Sequence, residues 1–124
     1  MADLGNILLF EPQNKEIKKL LKNGAQRLLK WQKPDGSWEV AYDRTTHKPI
    51  YTDLTDYRPT FYGLVIAYKL FGDKKYLNAA QKGADWLIEK SIKNGFFLGV
   101  CGDARFVNDF ATIQISGAMF DLYE

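Results

Sequence analysis

The densest run of functional groups in the chain is Gly99 to Asp109 (GVCGDARFVND), which gathers Asp103, Arg105, Asn108 and Asp109 in one loop. Asp103 or Asp109 could donate or accept a proton, and Arg105 could clamp an anion bidentately. The neighbouring glycines would let backbone amides approach a ligand closely. A second cluster, Tyr51 to Arg58 (YTDLTDYR), offers Asp53, Asp56, Tyr57 and Arg58, with Tyr62 four residues on from Arg58. Asp56 there is a candidate acid or base, while Arg58, Tyr57 and Tyr62 suit sugar hydroxyls or a uronate carboxylate. Both clusters also have a structural reading. Asp56 or Thr55 in the first, and Asn108 or Asp109 in the second, can cap the helix that follows, with Arg58 and Arg105 as ion-pair partners of Asp56 and Asp103. Paired carboxylates become catalytic for glycosidic bonds only when they face each other across a sugar ring, roughly 5–10 Å apart.

The remaining reactive groups point to little. Cys101, the lone cysteine, has no histidine near it in sequence and excludes an internal disulfide. His47, the lone histidine, lies in a polar turn and leaves no zinc set, so neither a metal nor another cofactor is expected. Of the aromatics Trp31, Trp38, Tyr42, Tyr57, Tyr62 and Trp86, helical spacing assigns most to a core, with the three tyrosines as the exceptions that could stack on sugars. Seventeen basic against fifteen acidic residues, spread along the chain, imply neither nucleic acid nor an anionic membrane as a partner. The start carries only a four-residue apolar run, Ile7 to Phe10, too short for a signal or a membrane span, and the compartment is undetermined.

Helices must position these loops. Residues 15–33 and 74–92 each place apolar side chains at three-and-four spacing on one face: Ile17, Leu20, Leu21, Leu28 and Trp31 in the first, Leu77, Ala80, Ala84, Leu87 and Ile88 in the second. Residues 60–71 (TFYGLVIAYKLF) and 110–123 (FATIQISGAMFDLY) are apolar on nearly every face, the pattern of buried helices. Gly72 suits a helix stop and Asp73 the cap of the next helix. The stretch 40–51 reads as a short β-hairpin with His47 in its turn. Residues 1–14 are read as an N-terminal extension.

The elements repeat. GAQRLLKWQKPDGSW from Gly24 aligns without gaps with GADWLIEKSIKNGFF from Gly83, and Thr60 to Leu70 aligns with Thr112 to Leu122. An amphipathic helix followed by an apolar one thus occurs twice, over 15–71 and 74–123. A period of this size signals stacked helical hairpins, each burying its apolar face on its neighbour.

On these residues the chain resembles known α/α toroids. KNGAQRLLKWQKPDGSW is similar to the QW motif of terpenoid cyclases and prenyltransferases, with Gln32, Gly36 and Trp38 in the motif positions. In that reading Gln32 bridges helix ends and Trp38 packs over the glycine turn, tying one outer helix to the next. LFGDKKYLNAAQKGADWLIEK resembles the six-hairpin glycoside hydrolases, polysaccharide lyases and sugar epimerases. The resemblance implies an all-α partial toroid of two consecutive hairpins over 15–124. The cyclase acid motif Asp-x-Asp-Asp is not matched, because Asp53 and Asp56 are wrongly spaced for it.

Three functions are therefore expected and differ in their site. A carbohydrate-active protein, or a segment of one, needs a pit lined by Asp, Arg and Tyr at the loops entering the apolar helices, and binds or processes a saccharide, including one containing uronic acids. An isoprenoid-binding relative needs an aromatic pit with an acid at its centre. A non-catalytic helical-hairpin module needs no pit, and its apolar edge meets another protein, a second copy or the remainder of a longer toroid. In a lone monomer the last two helices should expose that edge.

Overall fold

The structure is a computed structural model that describes residues 1–95 and 109–124. Five helices and one small sheet run in the order α1 (Ala2–Phe10), α2 (Lys15–Trp31), β1 (Ala41–Tyr42), β2 (Pro49–Ile50), α3 (Tyr62–Phe71), α4 (Lys74–Lys90) and α5 (Asp109–Tyr123), with a 3-10 turn at Ile92–Asn94. The all-α class and the short β-hairpin expected from the sequence are both present.

Local chemistry sets the ends of the two amphipathic helices. Asn14 accepts a hydrogen bond from the Ile17 amide at 3.0 Å, and Asp73 accepts one from Lys75 at 3.0 Å, so each side chain satisfies an amide that opens a helix. Between α3 and α4, Gly72 takes a left-handed conformation with φ of 70°, and its amide returns to the Tyr68 carbonyl. Only a residue without Cβ enters that conformation freely, which is why the helix stops there.

α3 is the centre of the molecule. It touches α1, α2, α4 and α5, and buries Gly63, Leu64, Val65 and Ala67. Around it Leu21 and Ala25 of α2, Tyr76, Ala80, Ala84 and Leu87 of α4, and Ile115 and Ala118 of α5 complete the core. Each fully buried leucine or tyrosine-sized side chain contributes roughly 1.5–3 kcal/mol of transfer free energy. The stretch read as an N-terminal extension is also helical: α1 buries Leu8 and lies so close to α3 that a Cβ on Gly5 would come within 2.9 Å of the Ile66 side chain. A four-residue apolar run with two leucines was enough for that contact because α3 supplies the other half of the interface.

The turn after α2 clasps α4. Gln32 donates through its Nε2 to the Gly36 carbonyl at 3.0 Å and to the Ala79 carbonyl at 2.8 Å, bridging its own turn and the neighbouring helix. Trp38 donates through Nε1 to the Leu28 carbonyl at 2.8 Å. Its ring lies flat enough on Gly83 that a Cβ there would stand 2.7 Å from ring carbon and 3.0 Å from the Phe61 Cβ. Gly36, at φ of 100°, faces the Lys82 carbonyl with no room for a side chain. Asp35 steadies the turn by accepting from the Ser37 hydroxyl at 2.7 Å, and this bond holds its carboxyl below the usual range.

The β-hairpin pairs Ala41 with Ile50 and Tyr42 with Pro49. Its turn is closed by Asp43, which accepts from the Thr45 amide at 3.0 Å, the Thr46 amide at 2.5 Å and the Thr46 hydroxyl at 2.7 Å. Tyr42 stacks on Trp31 at the end of α2, with ring centroids 4.2 Å apart.

Candidate functional site

Of the residues singled out from sequence, Cys101, Asp103, Arg105 and Asn108 lie outside the described residues, and Asp109 is placed only as the first residue of α5. The Tyr51 to Arg58 loop is described in full, and there the ion-pair reading is the one the geometry contains. Asp56 is 6% exposed. Its Oδ1 accepts from Arg58 Nε at 2.6 Å and the Arg58 amide at 3.1 Å, while Oδ2 accepts from Arg58 Nη2 at 3.1 Å and the Thr60 hydroxyl at 3.0 Å. Arg58 Nη2 also donates to the Val40 carbonyl. Four donors on one buried carboxylate leave no lone pair directed at a ligand, so Asp56 and Arg58 fasten the β-hairpin to the entrance of α3. Tyr57 stacks against Trp86 of α4, centroids 5.8 Å apart at 26°. Asp53 and His47 are exposed.

Among the described candidates, Tyr62 lines an open depression. A hollow of about 390 Å³ runs between α3 and α5, lined by Pro59, Tyr62, Gln114, Gly117, Phe120 and Asp121 among others. Tyr62 donates its hydroxyl to Asp121 Oδ2 at 2.6 Å, and Lys69 pairs with Oδ1 of the same carboxylate at 3.3 Å. The bond to Asp121 pushes the Tyr62 phenol up to about 12, and burial acts in the same direction. Asp121 is correspondingly held below the ordinary carboxylate value, first by the Tyr62 hydroxyl and then by Lys69, against an opposing effect of burial. A second hollow of about 430 Å³ lies on the other flank of α5, where Gln81, Asp85, Ile88 and Ile92 face Met119 and Tyr123.

Asp121 did not stand out in the sequence because it lies near the end of an apolar helix, away from either polar loop. A signal for it was present, however. The alignment of the two apolar helices sets Asp121 opposite Lys69, and oppositely charged residues at equivalent positions of adjacent repeats are placed to meet. The hollow itself is mostly apolar, with one acid, one phenol and one amide. That lining has the acid and the tyrosine of the expected sugar pit without its arginine.

The outer side of α5 is the other notable feature. Ile113, Phe120 and Tyr123 are 69%, 64% and 96% exposed. Ile113, Gly117 and Phe120 follow three-and-four spacing, so they form one stripe on the side opposite the buried Ile115 and Ala118. A Cβ on Gly117 would meet nothing within 4 Å.

Among the described residues no group of three or more His, Cys, Asp and Glu could hold a metal ion, and no helix is long and apolar enough to cross a membrane. Neither a protein-family model, a curated protein nor a solved structure matches the chain.

Proposed function

We propose that this chain is a helical-hairpin module whose α5 face receives further helices, as one unit of a stacked, toroid-like array. The supporting observation is the apolar stripe Ile113, Gly117 and Phe120, continued by Tyr123, on a helix whose opposite side is already in the core. A helix apolar on both sides is stable in water only when both sides are covered, and an exposed apolar surface of this kind marks an interaction site. The internal repeat adds to this reading, because α3, the counterpart of α5, is packed by α1, α2, α4 and α5. Display selection of small helical hairpins against the chain tests it. Selected binders should lose affinity at least tenfold on Phe120→Lys, and binders that all tolerate this change would overturn the reading.

A second reading, saccharide binding, is favoured by the hollow between α3 and α5. Asp121 and Gln114 supply hydrogen-bonding groups for hydroxyls, and Phe120 offers a ring face on which a sugar could stack. Titration with neutral and uronic-acid oligosaccharides, followed by amide chemical shifts, is the measurement. Shifts at Gln114, Phe120 and Asp121 that vanish in Asp121→Asn support it, and an unresponsive hollow rules it out.

A further inference from the structure

Among the described residues, seven of the ten exposed large apolar side chains, all but Ile50, Tyr51 and Leu70, fall into two separate edges. One is built by α1 and α2, where Leu9 and Phe10 are 77% and 87% exposed and Leu20 is about half exposed. The other is the α5 stripe. α1 touches α2 and α3 but neither α4 nor α5, and α2 does not touch α5, so among the described residues the edges are separated by the α3–α4 core.

Their charges are opposite. The α1–α2 edge carries six bases, Lys15, Lys18, Lys19, Lys22, Arg27 and Lys30, against three acids, Asp3, Glu11 and Glu16. The described part of α5 carries Asp121, which pairs with Lys69 of α3, and is followed by the exposed Glu124, with neither lysine nor arginine of its own. Building on the docking role of α5, we propose that its occupant is a second copy of this chain, which seats its α1–α2 edge on the α5 stripe. This head-to-tail contact covers both apolar edges and sets a basic surface against an acidic one. An α5-to-α5 pairing would instead oppose like charges and leave Leu9 and Phe10 in water. The open position at Gly117 allows close approach of a helix, as glycine does at packed helix contacts. The interface is heterologous, so association continues beyond a dimer until it closes into a ring or ends as a short filament.

Two single substitutions and their mixture test this on the full chain. Phe10→Glu places an acid on the edge that faces the acidic helix, and Phe120→Lys places a base on the edge that faces the basic one. Both sites are exposed, so unchanged circular dichroism and urea midpoint confirm that each variant folds. In sedimentation velocity the unmodified chain should form species larger than dimers, weakening as salt rises. Each variant alone should be monomeric, and the two mixed should give a one-to-one dimer that grows no further, because one intact edge of each kind remains. A Phe10→Glu variant that still dimerises alone would show α5-to-α5 pairing and overturn the proposal. An unmodified chain that stays monomeric, with a monomeric mixture, also overturns it. In that case hairpins selected against the α5 stripe would still bind if α5 is a docking face for another protein, so the two failures are distinguishable.

Discussion

The two turns that follow the amphipathic helices differ in what surrounds them. After α2, Gly36 is pressed against the Lys82 carbonyl, Gln32 reaches the Ala79 carbonyl, and Trp38 covers Gly83. After α4, the aligned Gly95 has a similar left-handed φ of 71° but nothing within 4 Å of where a Cβ would sit among the described residues, and Ser91 stands where Gln32 would be. The same turn is therefore used in two ways. At Gly36 the glycine is needed for the backbone conformation and for the close approach of a neighbouring helix, whereas at Gly95 only the first requirement is visible.

Substitutions that break the clasp should have the largest effects. Trp38→Ala removes a buried ring that bridges α2 and α4, and should lower unfolding free energy by about 3–5 kcal/mol in urea denaturation. Gly83→Ala places a methyl against the Trp38 ring and should cost about 1–3 kcal/mol, since both ring and helix are held from several sides. The paired changes Gly36→Ala and Gly95→Ala sharpen the contrast. Gly95→Ala should cost about 1 kcal/mol for a left-handed alanine, and Gly36→Ala clearly more, because its methyl also collides with a carbonyl. Equal urea midpoints for the two would mean that the approach of α4 to Gly36 does not matter.

The pH response comes next in size and probes the contact between the repeats. The folded Tyr62 phenol is raised to about 12 from an ordinary value near 10, so its contribution is fully present below pH 10 and is lost as pH rises through 12. Asp121 is lowered, so its contribution is present above the ordinary carboxylate range and is lost as the solution is acidified through its depressed value. Burial also raises the Tyr42 phenol, so phenolate absorbance should show a late-titrating component that shrinks in Tyr62→Phe and shifts earlier in Asp121→Asn. The smallest effect belongs to the open edge. Phe120→Lys should shift stability within about 0.5 kcal/mol in the monomer, as expected for an exposed site.

Much of this architecture was legible from spacing and turn chemistry. Three-and-four periodicity located α2 and α4 within two residues, the Gly72-Asp73 pair marked a stop and a cap, and the 40–51 stretch paired as a hairpin. These features are local, and local sequence determines them. The site was less legible because it depends on distant pairings. Asp56 reads equally well as acid, cap or ion-pair partner until Arg58 and Thr60 are seen on it. Asp121 gains its partner only when α5 lies beside α3, and α1 becomes a core element only because Leu8 and Met1 find α3 and α2.

The β-hairpin is moored on its first-strand side, to α2 by the Tyr42–Trp31 stack and to the segment before α3 by the Arg58 contact with Val40. The tip, residues 44–48, is exposed and closed locally by Asp43, and His47 there sets its ring edge-on to Trp31 with centroids 6.3 Å apart. The ribbon is therefore held along its Trp31 side, with Arg44 to Thr46 in solvent. Extra residues grafted between Arg44 and Thr46 would lengthen the tip while leaving the His47 contact and the helices beneath it in place.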